Sequence, residues 1–253
     1  MRKIGICILW GCLLFCGGLR AVPAGDIWKE ANEAYRRKDY EAAMRGYERI
    51  AAQQPADAAL CYNMGNTCFR LNRLGESVLW YERALRLQPS NADIRANLAY
   101  VNSQTVDQME VLPEFFLKRW ITAFRSLFSV TGWAVVSVVT SLLLFVVLAL
   151  FLLAPDLRRR IRLLALSLIM LLFLAIGIVM AFSQKHALER TDEAVVTSLS
   201  VPVRSMPDAS GTELFTVHEG MKVRITDAVG DWSETVFPNG SKGWVQTRQL
   251  TII

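Results

Sequence analysis

Apolar positions along this chain follow three different rhythms. Between residues 28 and 103 they recur at helical spacing among charged neighbours: Trp28, Ala31 and Tyr35, then Ala43, Tyr47 and Ile50, then Met64, Gly65 and Cys68, then Ser77, Tyr81 and Ala84. Residues three and four apart share one helix face, so this stretch reads as a series of amphipathic helices. The rhythm then vanishes: no charge occurs between Arg125 and Asp156, nor between Arg162 and Lys185. Each gap exceeds the roughly 20 apolar residues that cross a bilayer as a helix. From Ala194 the spacing shortens again, with alternating runs at 222–226 and 233–237 and an Asn239-Gly240 turn signal. That is the pattern of short strands joined by hairpins.

The helical stretch repeats. Segment 28–55 (WKEANEAYRRKDYEAAMRGYERIAAQQP) and segment 61–89 (CYNMGNTCFRLNRLGESVLWYERALRLQP) both end in Tyr-Glu-Arg followed by a proline, and 34 positions separate Pro55 from Pro89. In each, a first helix presents small residues to an aromatic-bearing second helix, and the proline stops the second. The first unit is expected to turn one residue more tightly, at Arg36-Arg37-Lys38-Asp39. A further helix, 91–103 (NADIRANLAYVNS), matches only the first half of a unit and reads as a cap. The period and its recurring small, aromatic and proline positions resemble the tetratricopeptide repeat family, over 25–105. Two units with a cap are few, because each repeat buries its apolar face on a neighbour; marginal stability is expected for them alone.

That resemblance implies a concave groove lined by first-helix residues, and hence a partner-binding role. Lys29, Glu33, Arg36 and Arg37 would line it in the first unit. Tyr62, Asn63, Asn66, Phe69 and Arg70 would do so in the second, and Asp93, Ala96, Asn97 and Tyr100 in the cap. Relatives that clamp a peptide carboxylate use Lys and Asn at such positions, which Lys29, Asn63 and Asn97 match in part. Glu33 and Asp93 would repel a carboxylate, so a general peptide or helix groove fits better.

Charge organises the membrane segments. Arg2 and Lys3 precede an apolar run that ends near Val22-Pro23-Ala24, the order of a secretory signal over 1–24. Cleavage after Ala24, retention as an anchor and a lipoprotein at Cys12 all leave the residues after 24 outside the cytoplasm. Spans are predicted at 131–154 and 163–183, joined by 155–162, which contains Arg158, Arg159, Arg160 and Arg162. The positive-inside rule puts that loop in the cytoplasm, so the repeats and the C-terminal tail share the opposite side. Ser137 and Ser141, and Gly177 and Ala181, are small residues four apart that allow close helix packing. Neither span contains an ionisable residue, which argues against a transporter or proton path. Before the first span, 112–128 places Phe116, Trp120, Phe124 and Leu127 on one stripe, with Lys118, Thr122 and Arg125 off it. This suits a helix lying in the membrane interface.

The C-terminal segment 194–253 predicts about five strands. The succession Val203-Arg204-Ser205-Met206-Pro207, then 214–223, then Gly230-Asp231-Trp232, then Asn239-Gly240 before Gly243-Trp244-Val245 resembles bacterial SH3-like domains. That resemblance places Trp232 at the ligand groove and Trp244 in the packing of a small barrel, and it implies contact with cell-wall peptides or a neighbouring protein.

Composition removes several classes of function. The chain has 253 residues, 53 % of them apolar, and a net charge of +5. The excess of arginine flanks the apolar spans, so no clustered nucleic-acid footprint is evident. Cys7, Cys12 and Cys16 fall in the N-terminal apolar run. Cys61 and Cys68 stand about two helical turns apart, beyond disulfide reach within one helix. Two histidines, His186 and His218, supply neither a catalytic triad nor a zinc ligand set. No phosphate-cradling glycine loop occurs. No cofactor, metal or catalytic residue is expected.

The fold class expected is a multidomain membrane protein: all-α tetratricopeptide helix pairs, a two-helix transmembrane hairpin, and a C-terminal all-β SH3-like barrel. The order of these parts, with the segments VLPEFFLKRW and GTELFTVHEGMKV, resembles BatE-type proteins of the bacterial aerotolerance operon. That resemblance implies an envelope adaptor working with membrane-anchored von Willebrand A-type Bat proteins, alongside a MoxR-type ATPase. The alternative is a wall sensor whose barrel binds peptidoglycan peptides.

Overall fold

The structure, a computed structural model, describes residues 24–109 and 115–253. Residues 1–23 of the signal read over 1–24, with Cys7, Cys12 and Cys16, and the start of the interfacial segment at 112–114 lie outside the described residues. The chain divides into two compact units, at Gln54 and Pro55.

The described part of the first unit is a helix pair, α1 (Ala24–Arg36) and α2 (Tyr40–Gln53). Gly46 lies where a Cβ would come within 2.7 Å of the Ala31 methyl, so two small residues let the helices close. Tyr47 is fully buried behind that contact. It donates its hydroxyl to Asn32 at 2.7 Å and meets Trp28 edge-on at 5.8 Å. Burial, with Tyr35 nearby, pushes its pKa up to about 12. Lys38 holds the turn in the left-handed region, φ 64°, and the Asp39 carboxylate caps α2 through the Ala42 amide at 3.1 Å.

The second unit opens with α3 (Ala58–Arg70), α4 (Leu74–Leu87) and α5 (Ala92–Asn102). The lengths and turn of the α1–α2 pair recur here 34 residues on, with Asn72 at φ 58° where the first pair has Lys38. The first turn is therefore not tighter by a residue. A left-handed residue at the third position closes both turns, and asparagine adopts it more readily than lysine. Asp57 caps α3 through Leu60 N at 2.7 Å, and Asn91 caps α5 through Ile94 N at 3.2 Å. At Gly65 a Cβ would come within 2.8 Å of the Tyr81 ring, and Ser77 donates to the Gly65 carbonyl at 2.9 Å.

Three helices come next: α6 (Phe116–Arg125), α7 (Val130–Leu153) and α8 (Leu157–Glu189). The last two are long and apolar enough to cross a membrane, and they fit a two-span membrane protein. Their outward side chains find no protein partner among the described residues; Phe182, for example, is 70 % exposed. The small residues serve the hairpin itself, since Gly177 lies where a Cβ would meet Ser137 Oγ at 2.8 Å. Trp133 is buried at the α6–α7 corner, between Phe124 and Phe128 at 5.4 and 5.2 Å. Its indole donates to the Arg125 carbonyl at 2.9 Å. Helix α8 has 33 residues, about 50 Å at 1.5 Å per residue, against roughly 30 Å of bilayer hydrocarbon. It therefore runs on beyond the apolar segment and carries directly into the sheet.

Seven strands form one antiparallel sheet: β1 (Glu193–Val196), β2 (Ser200–Arg204), β3 (Glu213–His218), β4 (Lys222–Val229), β5 (Trp232–Val236), β6 (Lys242–Gln246) and β7 (Leu250–Ile252). Their order is β3-β2-β6-β5-β4-β1-β7, two more strands than the roughly five expected. The additional strands are short flanking segments that carry no separate alternating pattern. Strand β1 explains the union of sheet and helices. Ala194 and Val196 enter the sheet's own core with Val201, Val203, Val217 and Val245. Val195, on the opposite face, joins Ile253 in a core with Val78, Tyr81 and Leu98 of the helices. A strand buried on both faces reads as an uninterrupted apolar run, as this one does.

Candidate interaction surfaces

The face between α3 and α5 carries the expected groove residues of the second unit. Asn97 donates to Tyr62 at 3.0 Å and to Asn66 at 3.1 Å, and Asn66 also accepts from Tyr81 at 2.6 Å. Both amide hydrogens of Asn97 are thereby directed into the protein, which leaves only its carbonyl to face a ligand. A carboxylate clamp drawing on Asn97 is not available in this arrangement. Phe69 meets Tyr100 edge-on at 5.6 Å, and Tyr100 remains 57 % exposed. Asn63 is half-buried and Arg70 exposed. A small cavity of about 160 Å³ between Tyr62, Asp93 and Ile94 continues this face. In the first unit Lys29, Glu33 and Arg36 are exposed on α1 and Arg37 is exposed in the turn after it, with Arg37 4.0 Å from Glu33.

The opposite helix, α4, is covered by the sheet. The Gly75 amide donates to Glu219 at 2.8 Å. Lys222 bridges Glu82 at 2.9 Å and Glu193 at 3.0 Å. Burial lowers the Lys222 pKa and the two carboxylates outweigh it, so the net shift is upward. Arg83 donates to the Ile252 carbonyl at 2.6 Å and stacks over Trp80 at 4.7 Å. Arg86 donates to the carbonyls of Ile253, Ala187 (3.0 Å) and Arg190 (2.5 Å). It thus satisfies the end of α8, where the last carbonyls lack helical partners and a cation is favoured. His218 is not isolated on its strand, because Asp107 accepts from its amide at 2.5 Å and pairs with its ring at 3.0 Å. These links place the second repeat and the sheet on the same side of any membrane that the hairpin crosses.

Apart from His218, weighed only as a catalytic or zinc residue, none of these joining residues was singled out from the sequence. A signal existed in the differences between the repeats. Gly75 stands where the first unit has Glu41, and Arg86 where it has Ala52.

On the sheet, Trp232 follows the Gly230-Asp231 hairpin, whose positive φ of 57° at Gly230 is what a type II′ turn asks of its first central residue. The register pairs Trp232 with Gln246 and Glu234 with Trp244. Ser233, Thr235, Gly243 and Val245 point inward, so Trp232 and Trp244 stand together on the half-buried outer face. Trp244 is not in the core, because its position on β6 alternates out of phase with Val245. A cleft of about 410 Å³ opens beside this face, between Gly230-Asp231 and Gln246-Thr247-Arg248.

Arg158, Arg159, Arg160 and Arg162 are exposed at the start of α8, where Arg159 pairs with Asp156 at 3.1 Å and Arg160 reaches the Ala154 carbonyl at 2.9 Å. Cys61 and Cys68 are buried free thiols. Among the described residues, no group of three His, Cys, Asp or Glu is arranged to hold a metal ion.

No curated protein matches the chain. The family model of the TPR repeat matches residues 65–105, across the end of α3, α4 and α5, and that of the bacterial SH3 domain matches residues 199–251, from β2 into β7.

Proposed function

We propose that the protein is a non-catalytic, membrane-anchored adaptor of the bacterial envelope that holds a partner protein segment on the α3–α5 face. Both matched modules are typically interaction modules. The observation that carries the reading is the division of labour between the helix faces. The sheet covers α4, whereas α3 and α5 present Tyr62, Asn63, Phe69 and the exposed Tyr100. Large aromatics left open beside polar groups are what a peptide-binding groove requires. Asn66, Arg70 and Asn97 would set the register of that segment. In the first unit, Lys29, Glu33 and Arg36 of α1 and Arg37 of the following turn would offer charge to a partner. The arginines at 158–162 would hold the hairpin turn in the cytoplasm, with both modules in the periplasm.

The resemblance to BatE-type proteins supports von Willebrand A-type Bat proteins as the partners. Affinity purification of the tagged full-length protein from its own membrane, with mass spectrometry of what stays bound, tests this. Recovery of such proteins, lost in Tyr62→Ala and Phe69→Ala, is the expected result. Recovery of the protein alone would overturn it.

A second reading, a wall sensor, is favoured by Trp232 and Trp244 sharing an outer sheet face beside the 410 Å³ cleft. It predicts muropeptide binding that Trp232→Ala abolishes, with the groove variants unaffected.

A further inference from the structure

Where the membrane helices meet the second repeat, a cavity of about 380 Å³ opens between the end of α4, α6, the end of α8 and the first sheet strands. Its walls carry five basic side chains and two acidic ones. Both acids are engaged by Lys222, and Arg190 is paired with Asp192 at 2.5 Å. Arg86 and Arg95 donate to main-chain carbonyls, which satisfies hydrogen bonds without cancelling charge. Arg125 completes the cationic wall.

Two residues of this wall each carry a buried polar atom with no partner among the described residues: Arg125 its Nε, a donor, and Gln184 its Oε1, an acceptor. Gln184 is only 5 % exposed. Burying such groups unsatisfied is costly, so each calls for an explanation. Their depth supplies one. Gln184 lies two residues beyond Phe182, the last outward-facing aromatic of the second span, and Arg125 ends the helix whose Phe116, Trp120 and Phe124 are exposed. The cavity therefore lies at headgroup level. A second opening of about 550 Å³, sharing Arg95, Thr122 and Ser126, extends it along α6 past Arg119.

We infer that this crevice binds the headgroup of an anionic phospholipid whose phosphodiester carries a hydroxylated substituent, of the phosphatidylglycerol class. The phosphate accepts from the Arg125 guanidinium in the field of Arg86 and Arg95, as charge-assisted hydrogen bonds to guanidinium favour. The substituent hydroxyl donates to Gln184 Oε1. A choline headgroup has no donor for Gln184, and its cation faces arginines.

The test is native mass spectrometry of the full-length protein released from nanodiscs containing phosphatidylglycerol, phosphatidic acid and phosphatidylcholine in equal parts. Wild type is expected to retain phosphatidylglycerol over phosphatidylcholine by about tenfold, the scale of one charged hydrogen bond. Arg125→Gln should abolish that preference, and Arg45→Gln, an exposed change on α2, should leave it intact. Gln184→Leu should erase the advantage of phosphatidylglycerol over phosphatidic acid, which lacks the hydroxyl, while both still exceed phosphatidylcholine. Each variant is compared at equal elution volume and circular dichroism, so that misfolding is not read as lost binding. Equal retention of the three lipids by wild type, or an unchanged preference in Arg125→Gln, would overturn the inference. So would millimolar inorganic phosphate displacing the lipid and raising the melting temperature as far, which would make free phosphate the ligand.

Discussion

Tyr81 donates its hydroxyl to Asn66 at 2.6 Å, and 34 residues earlier Tyr47 donates to Asn32 at 2.7 Å. The sequence period is therefore repeated in hydrogen bonding, not only in apolar spacing. The two bonds differ in company, because Asn66 also accepts from Asn97. Tyr47→Phe should lower stability by about 1 kcal/mol. Tyr81→Phe should cost less, since Asn66 keeps Asn97. Asn66→Ala, which removes the acceptor of both bonds, should exceed either. Thermal melts of the three variants check this order, and a Tyr81→Phe loss as large as that of Asn66→Ala would contradict it.

Arg86 ties three carbonyls from two different segments, at the end of α8 and at Ile253. Arg86→Met should lower stability by at least about 2 kcal/mol, because charged hydrogen bonds are each worth roughly 1.5–3 kcal/mol. The melting temperature should fall by about 4–8 °C at this size. Arg86→Lys should not restore it, since one ammonium cannot reproduce the guanidinium fork. Limited proteolysis near 190–193 gives an independent reading, with faster cleavage in both variants.

Lys38 occupies a left-handed turn position that is costly for any residue with a Cβ unless its side chain hydrogen-bonds locally, as asparagine's can. The second repeat solves the same turn with Asn72. Lys38→Asn should therefore stabilise the first unit by about 0.5–1 kcal/mol, the usual scale for relieving such a mismatch. A calorimetric melt with an unchanged or lower midpoint would contradict the assignment of strain to that residue.

The chain's organisation was legible because local signals carry it: two like repeats, two charge-free intervals, an Asn-Gly turn. The union of α4 with the sheet was not, because it joins residues more than 100 positions apart whose local setting is ordinary. Glu82 reads as a solvated helix residue and Lys222 as a strand-edge charge, and nothing near either announces the other. The hydrogen bonds of Asn97 were hidden for the same reason. Its spacing put it on the same face as Tyr62 and Asn66, but the direction of its amide depends on those two residues across a helix interface.

The Cys61 thiol is pushed up to about 11, chiefly by burial, with Arg83 opposing and Asp57 adding to the shift. A thiol in an unfolded chain ionises near about 8.5. The folded value is the higher one, so burial of this thiol stabilises fully below about pH 8.5 and is lost as pH rises from there to about 11. With Cys7, Cys12 and Cys16 replaced by serine, thiol titration with a disulfide reagent at pH 9 should find neither Cys61 nor Cys68 until denaturant is added. Rapid labelling of the native protein would contradict the buried, protonated state.

Lys222 joins helix and sheet through Glu82 and Glu193, and its raised pKa fixes the sign of the pH effect. A group whose folded pKa lies above its unfolded value stabilises fully below the unfolded value, about 10.4 for lysine, and the contribution disappears as pH rises through the folded one. Wild type should therefore hold this contribution at neutral pH and lose it only above about pH 10.4. Glu82→Gln removes the closer carboxylate while Glu193 remains, so the folded pKa moves back toward the ordinary value, and the contribution is smaller and is exhausted at a lower pH. The Lys222 side chain is 37 % exposed, so solvent screening holds the effect near the low end of ion-pair energies, below about 1 kcal/mol. The measurement is the difference in melting temperature between Glu82→Gln and wild type from pH 8 to 11.5, which cancels the tyrosines and Cys61 common to both. A gap present at pH 8 that closes as Lys222 deprotonates is the expected curve. A difference that is flat with pH would mean that Glu82 contributes by packing, and that the ion pair does not hold the sheet to α4.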